Sequence, residues 1–255
     1  MREILQQYKY QYRSLRLNFL LITIYFLTFG CTSTSGISSN VDADPLEPIN
    51  RSIHQVNLVA DKLILRPAAK GYDFVMPSFA RKGIRNFIGN ITYPIVFINS
   101  FLQGKIIQGV SGTGRFIINT SIGIGGLFDP ATSMGLPAHK EDFGLTFARW
   151  GISSGPYIVV PLLGPRTIRS GIGTGADIQL NPLIKLNNNT SARDKLLILW
   201  TTDSRANLLP LDDQIDSAFD SYAFVRDAYL QNRRFLLNGA GEIDFEFDDG
   251  FNEEF

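Results

Sequence analysis

Between Trp150 and Pro165 the chain runs WGISSGPYIVVPLLGP, sixteen residues without a charge, yet punctuated by Gly151, Gly155, Pro156, Pro161, Gly164 and Pro165. A segment this apolar is ordinarily a core strand or part of a membrane span. Here the prolines remove amide donors and the glycines invite turns, so neither a single helix nor a single strand can run its length. Interrupted backbone in apolar surroundings needs a special arrangement, and one such arrangement is a hairpin at membrane depth that lines a cavity instead of facing lipid.

The beginning of the sequence indicates how such a segment meets a membrane. Arg2, Lys9, Arg13 and Arg16 precede Phe19 to Phe29, eleven residues that are apolar except for Thr23 and Thr28 and lead into Gly30 and Cys31. A positive flank, a short apolar run and a small residue form the pattern of a signal peptide, and the run is too short for a spanning helix. Cys31 is the only cysteine. At that junction it resembles the acylated first residue of a bacterial lipoprotein, although Thr28 and Phe29 depart from the usual residues before it. Each buried methylene contributes about 0.8 kcal/mol, so two or three acyl chains hold effectively for good. Thr32 stands where an aspartate would signal inner-membrane retention, which favours the outer membrane.

Residues 1–30 carry four bases and one acid, and residues 239–255 carry seven acids and no base, which leaves twenty bases and sixteen acids between them. A body so mildly basic has no concentrated stripe for nucleic acid. One cysteine excludes an internal disulfide framework. The expected organisation is a signal peptide (1–30), an acylated Ser/Thr-rich linker (31–43), one domain (44–238) and an acidic disordered tail (239–255).

Within the domain the periodicity is helical. Phe87, Ile91, Pro94/Ile95, Ile98 and Phe101/Leu102 recur at steps of three and four inside an uncharged stretch from Asn86 to Gly104. Its helical part spans about 24 Å, short of a ~30 Å hydrocarbon core, so an amphipathic helix in the interface is expected. A second uncharged stretch, Phe116 to Phe128, follows Arg115, and Leu196, Leu197, Trp200 and Leu208 predict a helix stopped at Pro210. Another helix is expected from Asp212/Asp213 to Gly239, with Ile215, Ala218, Phe219, Tyr222, Val225 and Tyr229 on one face and Arg226, Arg233 and Arg234 late. The domain reads as mostly α.

Four patterns imitate catalytic or ligand motifs. Gly151-Ile152-Ser153-Ser154-Gly155 fits G-x-S-x-G, but Pro156 and Pro161 interrupt the helix such a serine needs, and no histidine follows His139. Gly123–Gly126 and Gly171–Gly175 lack the strand and the Gly-Lys-Ser/Thr closure of phosphate loops, and close backbone approach explains them better. His54 and His139 have no third ligand at metal spacing. Glu141-Asp142 reads as a cap rather than a carboxylate pair. No catalytic residue, metal or cofactor is implied.

In chain order, Asp44-Pro45-Leu46-Glu47 with Asn50-Arg51, Arg85-Asn86-Phe87 with Gly89-Asn90, Leu102-Gln103-Gly104, Arg115-Phe116 with Asn119-Thr120 and Gly123/Gly125/Gly126, Glu141-Asp142-Phe143-Gly144, Gly155-Pro156-Tyr157, and Pro161 with Gly164-Pro165 resemble the MlaA (VacJ) outer-membrane lipoproteins. The resemblance covers about residues 42–240. Ser170 departs from it, standing where that family leads one to expect aspartate.

The resemblance implies an all-α, ring-like bundle of amphipathic helices in the inner leaflet of the outer membrane, with a hairpin beside a central channel. Mislocalised phospholipid would pass inward through it, alongside a trimeric outer-membrane porin, to a soluble periplasmic lipid-binding carrier of an inner-membrane ABC-type complex. The channel and hairpin residues are then Gly151, Ser153, Ser154, Gly155, Pro156, Tyr157, Pro161, Gly164 and Pro165, with Arg149 and Arg166 as possible head-group contacts. A charge-free lining suits passage, because strong ionic ligands would hold a head group in place. The paired glycines and prolines allow hinges of a few residues, so the hairpin is a candidate gate. Two other classes stay open: a lipid esterase or phospholipase using the GISSG serine, and a structural envelope lipoprotein.

Overall fold

The computed structural model describes residues 44–185 and 190–238. Cys31, the signal segment, the linker and the acidic tail lie outside the described residues. What is described is helical but for one small antiparallel sheet.

Asp44 starts the first helix: its carboxylate accepts the Leu46 N–H at 3.1 Å and its carbonyl the Glu47 N–H at 3.1 Å. Helix α1 (Glu47–Ala60) continues through a π-helical turn, Asp61–Leu65, into α2 (Arg66–Val75). Next come α3 (Ser78–Leu102) and α4 (Ile106–Ser121), which pack on each other through the turn at Gly104, whose φ is +74°. Gly112 lets them close up, since a Cβ there would stand 3.1 Å from the Phe97 Cβ.

At 25 residues α3 is longer than the periodicity predicts. It begins at Ser78, because Arg81, Lys82 and Arg85 are good helix formers whose charges interrupt the apolar pattern without interrupting the backbone. Pro94 lies inside it, where it removes a single ladder bond. No described helix is long and apolar enough to cross a membrane.

The polarity of α4 is reversed. On α4 the buried positions are Gly109, Gly112, Arg115 and Asn119, while Ile106, Val110 and Ile117 share the outward face. Arg115 donates to Asp129, to the Thr132 hydroxyl at 2.8 Å and to the Leu136 carbonyl at 2.7 Å. Burial pushes the Asp129 carboxyl up, but hydrogen bonds from Thr132, Asn119 and Arg115 outweigh that and hold it below the usual carboxylate range.

A short helix, α5 (Pro130–Ser133), precedes α6 (Phe143–Arg149). Asp142 caps α6 by accepting the Leu145 N–H at 2.8 Å, so the second acid of the Glu141-Asp142 pair is a cap as expected. Glu141 is buried and accepts from Lys105 at 2.6 Å and from Gln103 at 2.8 Å. Gln103 also reaches Thr146 at 3.1 Å, and the Thr146 hydroxyl donates to the Asn99 oxygen at 2.6 Å. The motif residues Gln103 and Glu141 thus meet in one buried polar network between α3 and α6.

Strands β1 (Tyr157–Val160) and β2 (Gly164–Thr167) follow, then α7 (Ile168–Leu180), α8 (Thr190–Ala206), a 3-10 turn Leu209–Leu211, α9 (Asp212–Ser217) and α10 (Ser221–Asn238). Pro210 sits in the 3-10 turn after α8, which ends at Ala206. The single helix expected from Asp212 is instead two, broken at Ala218, whose ψ is +135°. The break puts Phe219 fully in solvent rather than on the apolar face. Asp220 makes the break worthwhile: its carboxylate accepts the Tyr222 and Ala223 N–H groups and binds Arg51 of α1 at 2.7 and 3.0 Å.

Gly171–Gly175 lies within α7, and Gly173 touches the α6 backbone, which is the close approach the glycines suggest. Ser170, the departure from the family pattern, closes a capping box with Thr167 and bonds the Tyr229 hydroxyl at 2.6 Å. Nearby, burial pushes the Asp177 carboxyl of α7 up to about 6, with the Asp142 charge adding and the Phe143 N–H and Arg233 opposing. A carboxyl raised in the folded chain favours folding below its unfolded value near 4 and opposes it above 6. Asp177→Asn should therefore raise the melting temperature at pH 7.5, by on the order of 2 kcal/mol of stability. Melting curves at pH 7.5 and 4.5 check this, because the gain must fade at the lower pH.

Candidate functional site

The charge-free segment resolves into two parts. Gly151–Pro156 is a loop leaving the end of α6, with φ of +83° at Gly151 and +65° at Gly155. Tyr157–Thr167 is a hairpin with the register Tyr157↔Thr167 to Val160↔Gly164 and a turn at Pro161–Leu163. The glycine-rich part expected to form the hairpin therefore precedes it, since each strand is only four residues long and β1 is built on the β-branched Ile158, Val159 and Val160.

The loop is fixed on the start of α7. The Arg169 guanidinium donates to the Ile152 carbonyl at 2.7 Å, the Arg169 N–H to the Ser154 carbonyl at 3.1 Å, and the Ile168 N–H to the Pro156 carbonyl at 3.1 Å. Burial pushes the Arg169 guanidinium down, and the Arg233 charge adds to that. Gly155 faces Ile168 so closely that a Cβ would stand 3.0 Å from the Ile168 Cβ.

The hairpin is fixed on α1. Asn50 donates to the Tyr157 carbonyl at 3.0 Å and accepts the Val159 N–H at 2.9 Å. Seven residues on, Asn57 donates to the Val160 carbonyl at 3.1 Å and accepts the Leu162 N–H at 2.8 Å. Two side-chain amides thus do for the outer edge of β1 what a third strand would do. Beneath, Tyr157 and Val159 pack with Tyr222 of α10, and the Tyr222 hydroxyl donates to Asp44.

Of the residues singled out from the sequence, Gly151, Ser153, Gly155, Pro156 and Pro161 are exposed, Ser154, Gly164 and Pro165 are half-buried, and Tyr157 is core. Arg149 is exposed at the end of α6 and forms no ion pair with a described residue, while Arg166 donates to the Pro165 carbonyl at 2.7 Å. Trp150 donates to the Leu102 carbonyl at 3.0 Å, tying the end of α6 to the end of α3. The order around Ser153 is helix, serine, strand, the reverse of a nucleophile elbow. His54 lies 3.3 Å from the Ser221 hydroxyl, and burial pushes its imidazole down. Among the described residues no group of His, Cys, Asp or Glu has the arrangement of a metal site.

Asn50 falls in the family motif, whereas Asn57 lies outside it. The signal was available: two asparagines seven apart fall on one helix face, where amides without a partner would be costly to bury.

The outer surface completes the picture. Ile107, Val110, Ile117, Ile122, Ile124 and Phe128 are exposed around α4 and its following turn, and Leu162 and Leu163 are exposed at the hairpin tip. An apolar outer face on α4 over the buried Arg115 and Asn119 is the pattern of a membrane-associated protein. The chain belongs to the MlaA lipoprotein family, whose model matches residues 42–236. It is similar to the intermembrane phospholipid transport system lipoprotein MlaA of Escherichia coli K12, 36% identical over 224 residues that cover 85% of this chain and 86% of that protein. The protein of the same description from Haemophilus influenzae is 30% identical over 232 residues, covering 85% of this chain and 90% of its own. A solved structure from work on the structural basis for maintenance of bacterial outer membrane lipid asymmetry superposes with a TM-score of 0.68 at 35% identity, covering 77% of this chain and all of that one.

Proposed function

We infer that this chain is the lipoprotein of an intermembrane phospholipid transport system, which takes mislocalised phospholipid out of the outer leaflet, passes it inward and so maintains outer-membrane lipid asymmetry. The observation that carries the reading is the reversed polarity of α4: Ile106, Ile107, Val110 and Ile117 face outward, while Arg115 and Asn119 are buried. A water-soluble carrier needs no such coat. A protein seated in one leaflet does, because its outer side chains replace lipid–lipid contacts while its polar groups stay satisfied within.

In this reading Cys31 carries the acyl anchor, and the domain sits in the periplasmic leaflet of the outer membrane. It forms a ring-like channel whose inner wall is wet for the head group. The hairpin and the loop before it border that route, with Ser153 and Ser154 offering neutral polar contacts and the exposed Arg149 guanidinium available to phosphate. A trimeric porin and a soluble periplasmic carrier are the partners. No covalent bond is made or broken, a view supported by the helix–serine–strand order at Ser153, which offers no elbow for an esterase.

A strain lacking the chain should accumulate phospholipid in its outer leaflet several-fold, and purified full-length protein should release no fatty acid from labelled phospholipid. A normal lipid distribution in that strain, or fatty-acid release abolished by Ser153→Ala, would overturn the reading.

A further inference from the structure

We propose that Asn57 is the positioning residue for the hairpin tip, and that the tip, Pro161–Leu163, rather than the glycine-rich loop before it, is the part of the hairpin that moves against a passing acyl chain. This rests on the inference that the hairpin borders the lipid route.

The loop is poorly suited to be the hinge. It is tied to α7 by three hydrogen bonds through Ile152, Ser154 and Pro156, and Gly155 has Ile168 against it. The base of the hairpin is equally held, because Asn50 is buried and Tyr157 and Val159 are core. Only the far end has a releasable tie. Asn57 is half-buried, and its bond to the Leu162 N–H is open to the surroundings.

Leu162 is held in an unfavourable state in two respects. Its φ is +62°, in the left-handed region that residues with a Cβ avoid, and it is 73% exposed, next to Leu163 at 56%. Opening the Asn57 bonds frees Leu162 to leave that conformation, so release of the tip is driven by the turn itself. Two adjacent leucines at the end of a hairpin whose one charge, Arg166, lies near its base opposite Ile158 offer contact to hydrocarbon, not to a charged head group. Asn50 and Asn57 therefore have separate tasks: the first fixes where the hairpin is, the second sets where its tip points.

The test uses full-length chain in detergent for position and the native strain for transport. Asn57→Ala should raise chymotrypsin cleavage after Leu162 or Leu163, mapped by mass spectrometry, about tenfold, with the melting temperature unchanged. Asn57→Asp keeps an acceptor for Leu162 and loses the donor to Val160, and should give an intermediate rate. In cells Asn57→Ala should raise outer-leaflet phospholipid at normal protein level. Unchanged cleavage overturns the clamp. Raised cleavage with a normal lipid distribution, in a host where deletion of the chain alters it, overturns the tip's place on the route. A deletion strain with normal lipid overturns the proposed function instead.

Discussion

Gly173→Ala should abolish the folded domain or destabilise it by about 3 kcal/mol or more. A Cβ at Gly173 would stand 2.3 Å from the Gly144 nitrogen, 2.7 Å from the Gly144 Cα and 2.9 Å from the Phe143 carbonyl carbon. All three are backbone atoms, so no side chain can rotate away, and α6 and α7 would have to separate. Alanine's advantage over glycine inside a helix, about 1 kcal/mol, is too small to compensate. Gly175 supplies the control in the same helix, with nothing within 4 Å of its Cβ position, and Gly175→Ala should be neutral or stabilising. Denaturant melts of the two variants decide it, and equal stabilities would mean that the helices do not cross at Gly173.

Val110→Lys combined with Ile117→Lys should detach the domain from lipid while leaving its fold intact. Both residues lie on the outward face of α4, 60% and 58% exposed, opposite the buried Gly112 and Asn119. In a water-exposed protein such changes shift stability by less than about 0.5 kcal/mol. If the face lies in lipid, each lysine loses apolar burial and adds a charge, together roughly 3 kcal/mol for the pair, or about a hundredfold in partitioning. Liposome flotation of the Cys31→Ser chain, in which no acyl anchor masks the effect, measures this directly. Flotation equal to that of unsubstituted Cys31→Ser would sink the leaflet-seated reading.

Much of the helical architecture is legible in the residues because it is local. The step of three and four from Phe87 to Leu102 corresponds to an observed helix, α3. The errors fall where a distant partner decides. Nothing near Ala218 demands a break, yet Asp220 gains Arg51, 169 positions away in sequence, by making one. Phe219 is then left outside, although its spacing from Ile215 and Tyr222 argues for the apolar face. The hairpin likewise begins later than its glycines suggest, because strand length is set by where β1 finds Asn50 and Asn57 on α1.

The chain by itself determined that the domain is mostly helical, that the Trp150–Pro165 stretch cannot be a single helix or a single strand, and, through motifs dispersed from Asp44 to Pro165, its family. Periodicity, proline and glycine act over a few residues, and no fold is needed to sense them. The three-dimensional arrangement alone decided which face of each helix is inner. An asparagine, an arginine and a glycine score as surface or turn residues in any sequence window, but Asn99, Arg115 and Gly173 become core once Thr146, Asp129 and Gly144 are brought against them. Burial of a polar group is favourable only when its hydrogen-bond partner is already in place, and that partner is supplied by another helix.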